Sequence, residues 1–199
     1  DAKVDRKNDK SFSFRSGKTT HEKDINQVNI CISYNGKEYD SKNRIYNDIA
    51  ANVIGGSMSS RLFQEIREKK GLAYSVYTYN QYYNKGGVVS TYIGTNVENY
   101  RDAVEITLNE FRKVREKGIT DFELKKAKNK YLSKIAFSME NPRSRMSILG
   151  NYFTRKGEVL DIEKLKSEIK AVNLENINNY LNTEFLEPNI TILGNVRGR

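Results

Sequence analysis

Gly55-Gly56-Ser57-Met58-Ser59-Ser60-Arg61-Leu62-Phe63-Gln64-Glu65-Ile66-Arg67-Glu68-Lys69-Lys70-Gly71-Leu72-Ala73-Tyr74-Ser75-Val76-Tyr77 reads as a loop, a short helix, a stop and a strand. The two glycines break what precedes them, because glycine alone takes φ > 0 at little cost. Ser57 is placed to N-cap the helix. Met58, Leu62, Phe63 and Ile66 recur at helical spacing and give it one apolar face. Lys69 and Lys70 fall in the last turn, where cations suit the helix dipole, and Gly71 is placed as the residue that stops it. Leu72, Tyr74 and Val76 then alternate with Ala73, Ser75 and Tyr77, as in a strand.

This order has a geometric consequence. A tight turn at Gly71 brings Arg67, near the helix end, and Tyr74, just inside the strand, toward one edge of a sheet. A guanidinium fork and a phenol in that position bind a peptide carbonyl or an oxyanion. The plain alternative is that Arg67 is a solvated helix residue and Tyr74 a core residue.

Upstream, Asp1 to Lys10 is polar and reads as a tail or linker, with a single domain over 11–199. Ser11 to Arg15 alternates as a short strand. Ser16-Gly17-Lys18-Thr19-Thr20 resembles the end of a phosphate-binding loop but lacks its upstream glycine, so no nucleotide site is expected. Gln27 to Tyr34 is a strong strand, Asn35-Gly36 a turn, and Asp40 to Ile54 a helix ended by the glycine pair. Downstream, Asn84 to Gly87 turns a hairpin into a strand over Val88 to Thr95. Helices follow: one with the stripe Val97, Tyr100, Val104, Leu108, Phe111 and Val114, ended by Gly118, and one opened by the capping box Thr120-x-x-Glu123. Asn141-Pro142 opens the next. Two shorter helices and a strand over Asn189 to Gly194 complete the chain. The sum is an α+β fold, an antiparallel or mixed sheet with helices packed on one face.

Composition narrows the function. The 199 residues carry a net charge of +9, with 37% hydrophobic and 30% charged residues. No recognition motif accompanies the charge, so no nucleic-acid partner is expected. No apolar run reaches the roughly 20 residues of a membrane span. No signal peptide opens the chain, and the absence of an initiator Met suggests a fragment of a longer protein. The one cysteine, Cys31, has no internal partner and reads as a small core residue. The one histidine, His21, lies in His21-Glu22-Lys23-Asp24-Ile25, without the second histidine one turn on that a zinc helix needs. It reads as a surface loop residue, and no metal ligands are assigned to this chain.

The run from Gly55 to Val76 resembles the C-terminal half of the insulinase (pitrilysin) zinc metallopeptidases, above all the branch of mitochondrial processing peptidase and its bacterial relatives. The resemblance continues through Gly94-Thr95, Gly118-Ile119-Thr120, Glu123-Leu124, Ala127-Lys128 and Ser144-Arg145, from about Asn26 to the end. It implies the metallopeptidase-half fold of that family and a peptide substrate held in a chamber closed by an N-terminal half, on the same chain or a partner subunit. That half carries the inverted His-x-x-Glu-His motif and the zinc; this chain has no such motif, so the fragment alone is expected to be inactive. In the family, Arg67 matches the arginine that fixes substrate backbone and Tyr74 the tyrosine that hydrogen-bonds the oxyanion. Gly55 and Gly56 are a weaker expectation, as a substrate-facing loop or simply a link between helices. The expected compartment is intracellular, bacterial cytoplasm or organellar matrix. The alternative is a non-catalytic member of the family, a structural subunit like the processing-peptidase or bc1 core proteins.

Overall fold

Apolar and polar residues alternate along Val28–Gly36, and this strand lies at the centre of the structure. The computed structural model describes residues 12–196; the tail expected over residues 1–10, and Ser11, lie outside them. Strands β1 (Gly17–Glu22), β2 (Val28–Gly36), β3 (Ala73–Tyr83), β4 (Gly86–Thr95) and β5 (Asn189–Gly194) form one sheet in the order β1-β5-β2-β4-β3. β1 is parallel to β5, and the other neighbours are antiparallel. Helix α1 (Arg44–Gly55) and a π-helix (Phe63–Lys69) lie between β2 and β3. Helices α2 (Tyr100–Lys117), α3 (Asp121–Glu140), α4 (Pro142–Lys156), α5 (Ile162–Ala171) and α6 (Leu174–Leu181) lie between β4 and β5. This is the expected α+β order, with a mixed sheet.

The core lies between one sheet face and the helices. Val28, Ile30, Ile32 and Tyr34 of β2 are buried with Val89 and Ile93 of β4, against Ile49, Ala50, Val53 and Ile54 of α1. Each such aliphatic side chain contributes about 1.5–3 kcal/mol by leaving water. Tyr34, Phe111 and Phe185 pack ring against ring at centroid separations of 4.5, 5.6 and 5.1 Å. Thr120 and Glu123 form the expected capping box on α3, and Asn141 with Pro142 opens α4 as expected. α4 contributes no buried residue.

Several expectations are corrected. The first strand is Gly17–Glu22, not Ser11 to Arg15; its exposed residues carry no alternation of burial, and its place is set by pairing with β5. It takes in most of the false phosphate-loop segment and also His21, so His21 is an exposed strand residue rather than a loop residue. Asn35 and Gly36 are not a turn: they continue β2 and pair with Val88 and Gly87. α1 begins at Arg44 rather than Asp40. Cys31 lies on the sheet face opposite the core, half-buried, with Sγ 3.5 Å from Ser33 Oγ.

α1 crosses β3 at Gly55. A Cβ there would run into the Thr78 hydroxyl and lie 2.8 Å from the Thr78 backbone N, while Thr78 Oγ1 is hydrogen-bonded to Thr91 Oγ1 at 2.8 Å. Neither backbone nor hydroxyl can yield without breaking a ladder or a buried hydrogen bond. Gly55→Ala is expected to cost about 1–3 kcal/mol through overpacking. Urea unfolding would show it as a lower midpoint at unchanged slope; an unaltered midpoint would refute the close-packing argument.

Candidate active site

The polypeptide between α1 and β3 is folded by its own short-range contacts. Ser57 does not cap a helix. It starts a turn in which the Ser60 N–H and hydroxyl both donate to the Ser57 carbonyl, at 3.0 and 2.5 Å. Met58 rides on that turn, 76% exposed, and is not part of the apolar face. Gln64 Nε2 donates to the Met58 carbonyl at 2.7 Å, and the Gly56 carbonyl accepts from Lys130 Nζ. Gly55 is buried in the contact with Thr78, and a Cβ on Gly56 would lie 2.6 Å from Asn52 Cα. Tight packing alone therefore accounts for glycine at both positions.

Helical backbone begins at Arg61 and widens into the π-helix Phe63–Lys69. Leu62 and Ile66 are fully buried. Arg67 is exposed, its guanidinium 5.0 Å from the centre of the Phe63 ring. Gly71 takes φ +62° with open space where a Cβ would be, so it is the backbone conformation that calls for glycine. Its N–H donates to the Arg67 carbonyl at 3.1 Å, and the Leu72 N–H reaches back to Ile66 at 2.8 Å. These bonds close the helix and aim the chain into β3.

β3 is the edge strand, and it begins with a bulge. Ala73 pairs with Thr95 and Ser75 with Gly94, which leaves Tyr74 as an extra residue. The alternation slips there: Ala73 and Val76 are both buried, and Tyr74 is 68% exposed. The expected shared face of Leu72, Tyr74 and Val76 does not exist, and Tyr74 is not a core residue. Bulges commonly re-aim a side chain beside functional sites. Arg67 and Tyr74 thus stand on either side of the Gly71 turn, both open to solvent at the sheet edge.

Two anchors were not visible in the sequence. Arg61 Nε and one terminal nitrogen grip the two Glu123 carboxylate oxygens at 2.6 and 2.8 Å, and the Gly118 carbonyl takes a third bond at 3.2 Å. Glu123 is also the acid of the α3 capping box, accepting from the Thr120 N–H at 2.8 Å. Burial alone would raise its carboxyl pKa, but Arg61 and Thr120 outweigh that and hold it below the usual range. The second anchor is Asp48 on α1, which accepts from Tyr82 (2.6 Å) and Asn80 (2.9 Å) of β3 and from Tyr131 of α3 (2.7 Å). Burial, and then the Asp48 charge, push both phenols far up, so they remain donors. Local periodicity holds no trace of partners this distant in sequence.

With this geometry in place, comparison with known proteins assigns the family. Residues 6–131 match the model described as the peptidase M16 inactive domain. The chain belongs to the peptidase M16 family. It is 36% identical over 175 residues to the uncharacterized zinc protease YmxG of Bacillus subtilis, covering 87% of this chain and 42% of that protein. It is 30% identical over 164 residues to an uncharacterized zinc protease of Rickettsia felis, covering 82% and 40%. The chain thus spans less than half the length of these relatives. Among solved structures, a peptidase M16 inactive domain from Pseudomonas fluorescens aligns over 90% of this chain and 44% of that one, with a TM-score of 0.77 at 19% identity. A chain of Candida albicans complex III2 aligns over 93% and 47%, with a TM-score of 0.81 at 17% identity. These two likenesses concern the fold.

M16 relatives are named zinc proteases, yet the described residues of this chain do not fit a zinc ion. Among the described residues no three His, Cys, Asp or Glu side chains come together, and the chain's one histidine lies exposed on the edge strand β1. No helix among the described residues is long and apolar enough to cross a membrane.

The Arg61–Glu123 pair has a pH signature. Glu123 binds its proton more weakly folded than unfolded, so the pair's contribution is complete above the unfolded glutamate value of about 4.3 and is lost as pH falls toward the lower folded value. Glu123→Ala is expected to cost about 2–4 kcal/mol, from the stranded Arg61 and the lost cap. Denaturant titrations from neutral to acid pH should show the wild type converging on the variant below about pH 4. A constant gap across that range would contradict the assignment.

Proposed function

We propose that this domain is the substrate-binding and transition-state-stabilising half of a zinc metalloendopeptidase whose metal is held by an N-terminal half. The observation that carries the reading is the exposure of Arg67 and Tyr74 on opposite sides of the Gly71 turn, at the start of the edge strand. Both side chains are open to solvent, and Arg67 is held only over the face of the Phe63 ring among the described contacts. The Tyr74 phenol is a hydrogen-bond donor for the oxygen of a scissile peptide carbonyl as charge develops there. The Arg67 guanidinium binds and orients a neighbouring backbone carbonyl of the same peptide. Gly55 and Gly56 support the site indirectly, by packing the loop that leads into it. An edge strand also offers unpaired backbone groups, the means by which an extended peptide is held. The relatives named zinc proteases, from Bacillus subtilis and Rickettsia felis, support the reading of a bacterial peptidase.

The test uses the domain together with its N-terminal half and a quenched fluorescent peptide. Loss of one oxyanion donor removes on the order of 3 kcal/mol of transition-state stabilisation. Tyr74→Phe is therefore expected to lower kcat about 10²–10³-fold with little change in KM, and Arg67→Ala to lower kcat/KM. If both variants cleave like the wild type, the domain is a structural, non-catalytic member of the family and the proposal is wrong.

A further inference from the structure

Two arginines of one short segment are held in opposite ways. Arg61 spends three guanidinium hydrogen bonds on the Glu123 carboxylate and the Gly118 carbonyl. Arg67 has no guanidinium hydrogen bond and no ion pair among the described residues. Its side-chain partner there is the Phe63 ring, with the guanidinium carbon 5.0 Å from the ring centre. Glu65, on the same helix, is paired with Lys69 at 2.5 Å and is engaged elsewhere. The difference matters chemically. A carboxylate holds an arginine by filling its donor fork. An aromatic ring holds it through the attraction of a cation to the π face, and leaves the N–H donors unspent.

The local fold makes this contact. Phe63 and Arg67 both lie in the π-helix Phe63–Lys69. With about one residue more per turn than an α-helix, four residues there fall just short of a full turn. Helical side chains tilt toward the N-terminus, so Arg67 leans back over Phe63. The ring itself is a firm base: Phe63 is half-buried and packs on the core, and its helix neighbours Leu62 and Ile66 are fully buried. The Arg67 backbone is fixed as well, its carbonyl accepting from the Gly71 N–H at 3.1 Å. An exposed arginine without such a base samples many rotamers, and ordering it at the moment of binding weakens the complex.

We infer that Phe63 is a positioning residue for Arg67. Its ring orders the guanidinium before substrate arrives and leaves the donors for a backbone carbonyl of the peptide. The inference rests on the proposed role of Arg67, and it adds the residue that holds that arginine ready.

The experiment uses the whole two-half protein and the quenched fluorescent peptide. Phe63→Leu keeps an apolar side chain but removes the aromatic face; Phe63→Tyr keeps the face. Phe63→Leu is expected to lower kcat/KM about 3–10-fold, the effect of leaving one rotamer-rich side chain to be ordered on binding. Phe63→Tyr should keep wild-type activity. In an Arg67→Ala background, Phe63→Leu should cause no further loss. NMR of arginine-labelled protein gives a readout without cleavage, with Arg67→Ala identifying the signal. The Arg67 side-chain protons should be shifted upfield by the ring in wild type and Phe63→Tyr, and should return to ordinary positions in Phe63→Leu. Melting curves check that each variant is folded. Equal losses from Phe63→Leu with and without Arg67, a Phe63→Tyr as impaired as Phe63→Leu, or Arg67 signals that Phe63→Leu leaves in place would each overturn the inference. The signals are read without turnover, so failure here is distinct from a failure of Arg67→Ala to lower kcat/KM.

Discussion

The left-handed turn at Gly71 is the constraint on which the rest depends. A chain leaving a helix must satisfy its last carbonyls and change direction, and here one residue does both, at φ +62°. The Gly71 and Leu72 N–H groups close the π-helix onto Arg67 and Ile66, and within two residues the chain is in the sheet. Arg67 and Tyr74 flank this short step from π-helix to edge strand, and both are exposed. The bulge then turns Tyr74 outward, because its neighbours Ala73 and Val76 claim the buried side. The two exposed side chains are thus a product of backbone geometry, and the geometry in turn needs one glycine.

An edge strand has hydrogen-bonded neighbours on one side only, so its position needs other support. β3 has it from three directions. Gly55 lets α1 lie directly on Thr78. Asp48 draws Asn80 and Tyr82 of β3 toward Tyr131 of α3. Arg61 binds the start of the π-helix to the start of α3 through Glu123. Buried or half-buried charge of this kind adds little net stability compared with apolar packing, but breaking one partner strands the other. Its physical value here is positional: α1, α3, the π-helix and the edge strand form one rigid frame around the turn.

Much of this was legible in the residues. The order of strands and helices, the capping box at Thr120, the Asn141-Pro142 start and the stop at Gly71 all follow from local backbone preferences, which act over a few residues. What escaped was non-local or depended on an added residue. A bulge has no periodic signature, so Leu72, Tyr74 and Val76 looked like one face until pairing with Thr95 and Gly94 showed Tyr74 as the residue in excess. The π-helix holds about one more residue per turn than the α-helical spacing of its apolar residues suggests. β1, exposed along its whole length, has no alternation to read, and only β5 fixes where it starts. Cys31 sits among apolar neighbours in sequence yet faces away from them, as period two demands. Arg61 and Glu123 are each ordinary in their own segment and meet only in the fold.

For the M16 domain as half of a peptidase, the central claim is that Arg67 and Tyr74 act on one peptide at the same time. A double-mutant cycle on kcat/KM, using Arg67→Ala, Tyr74→Phe and the pair in the two-half enzyme, measures this directly. Two groups that orient and stabilise the same peptide unit act as one device, so the double variant should lose clearly less than the product of the single losses. Strictly multiplicative losses would mean that the two residues act independently, and would contradict the account.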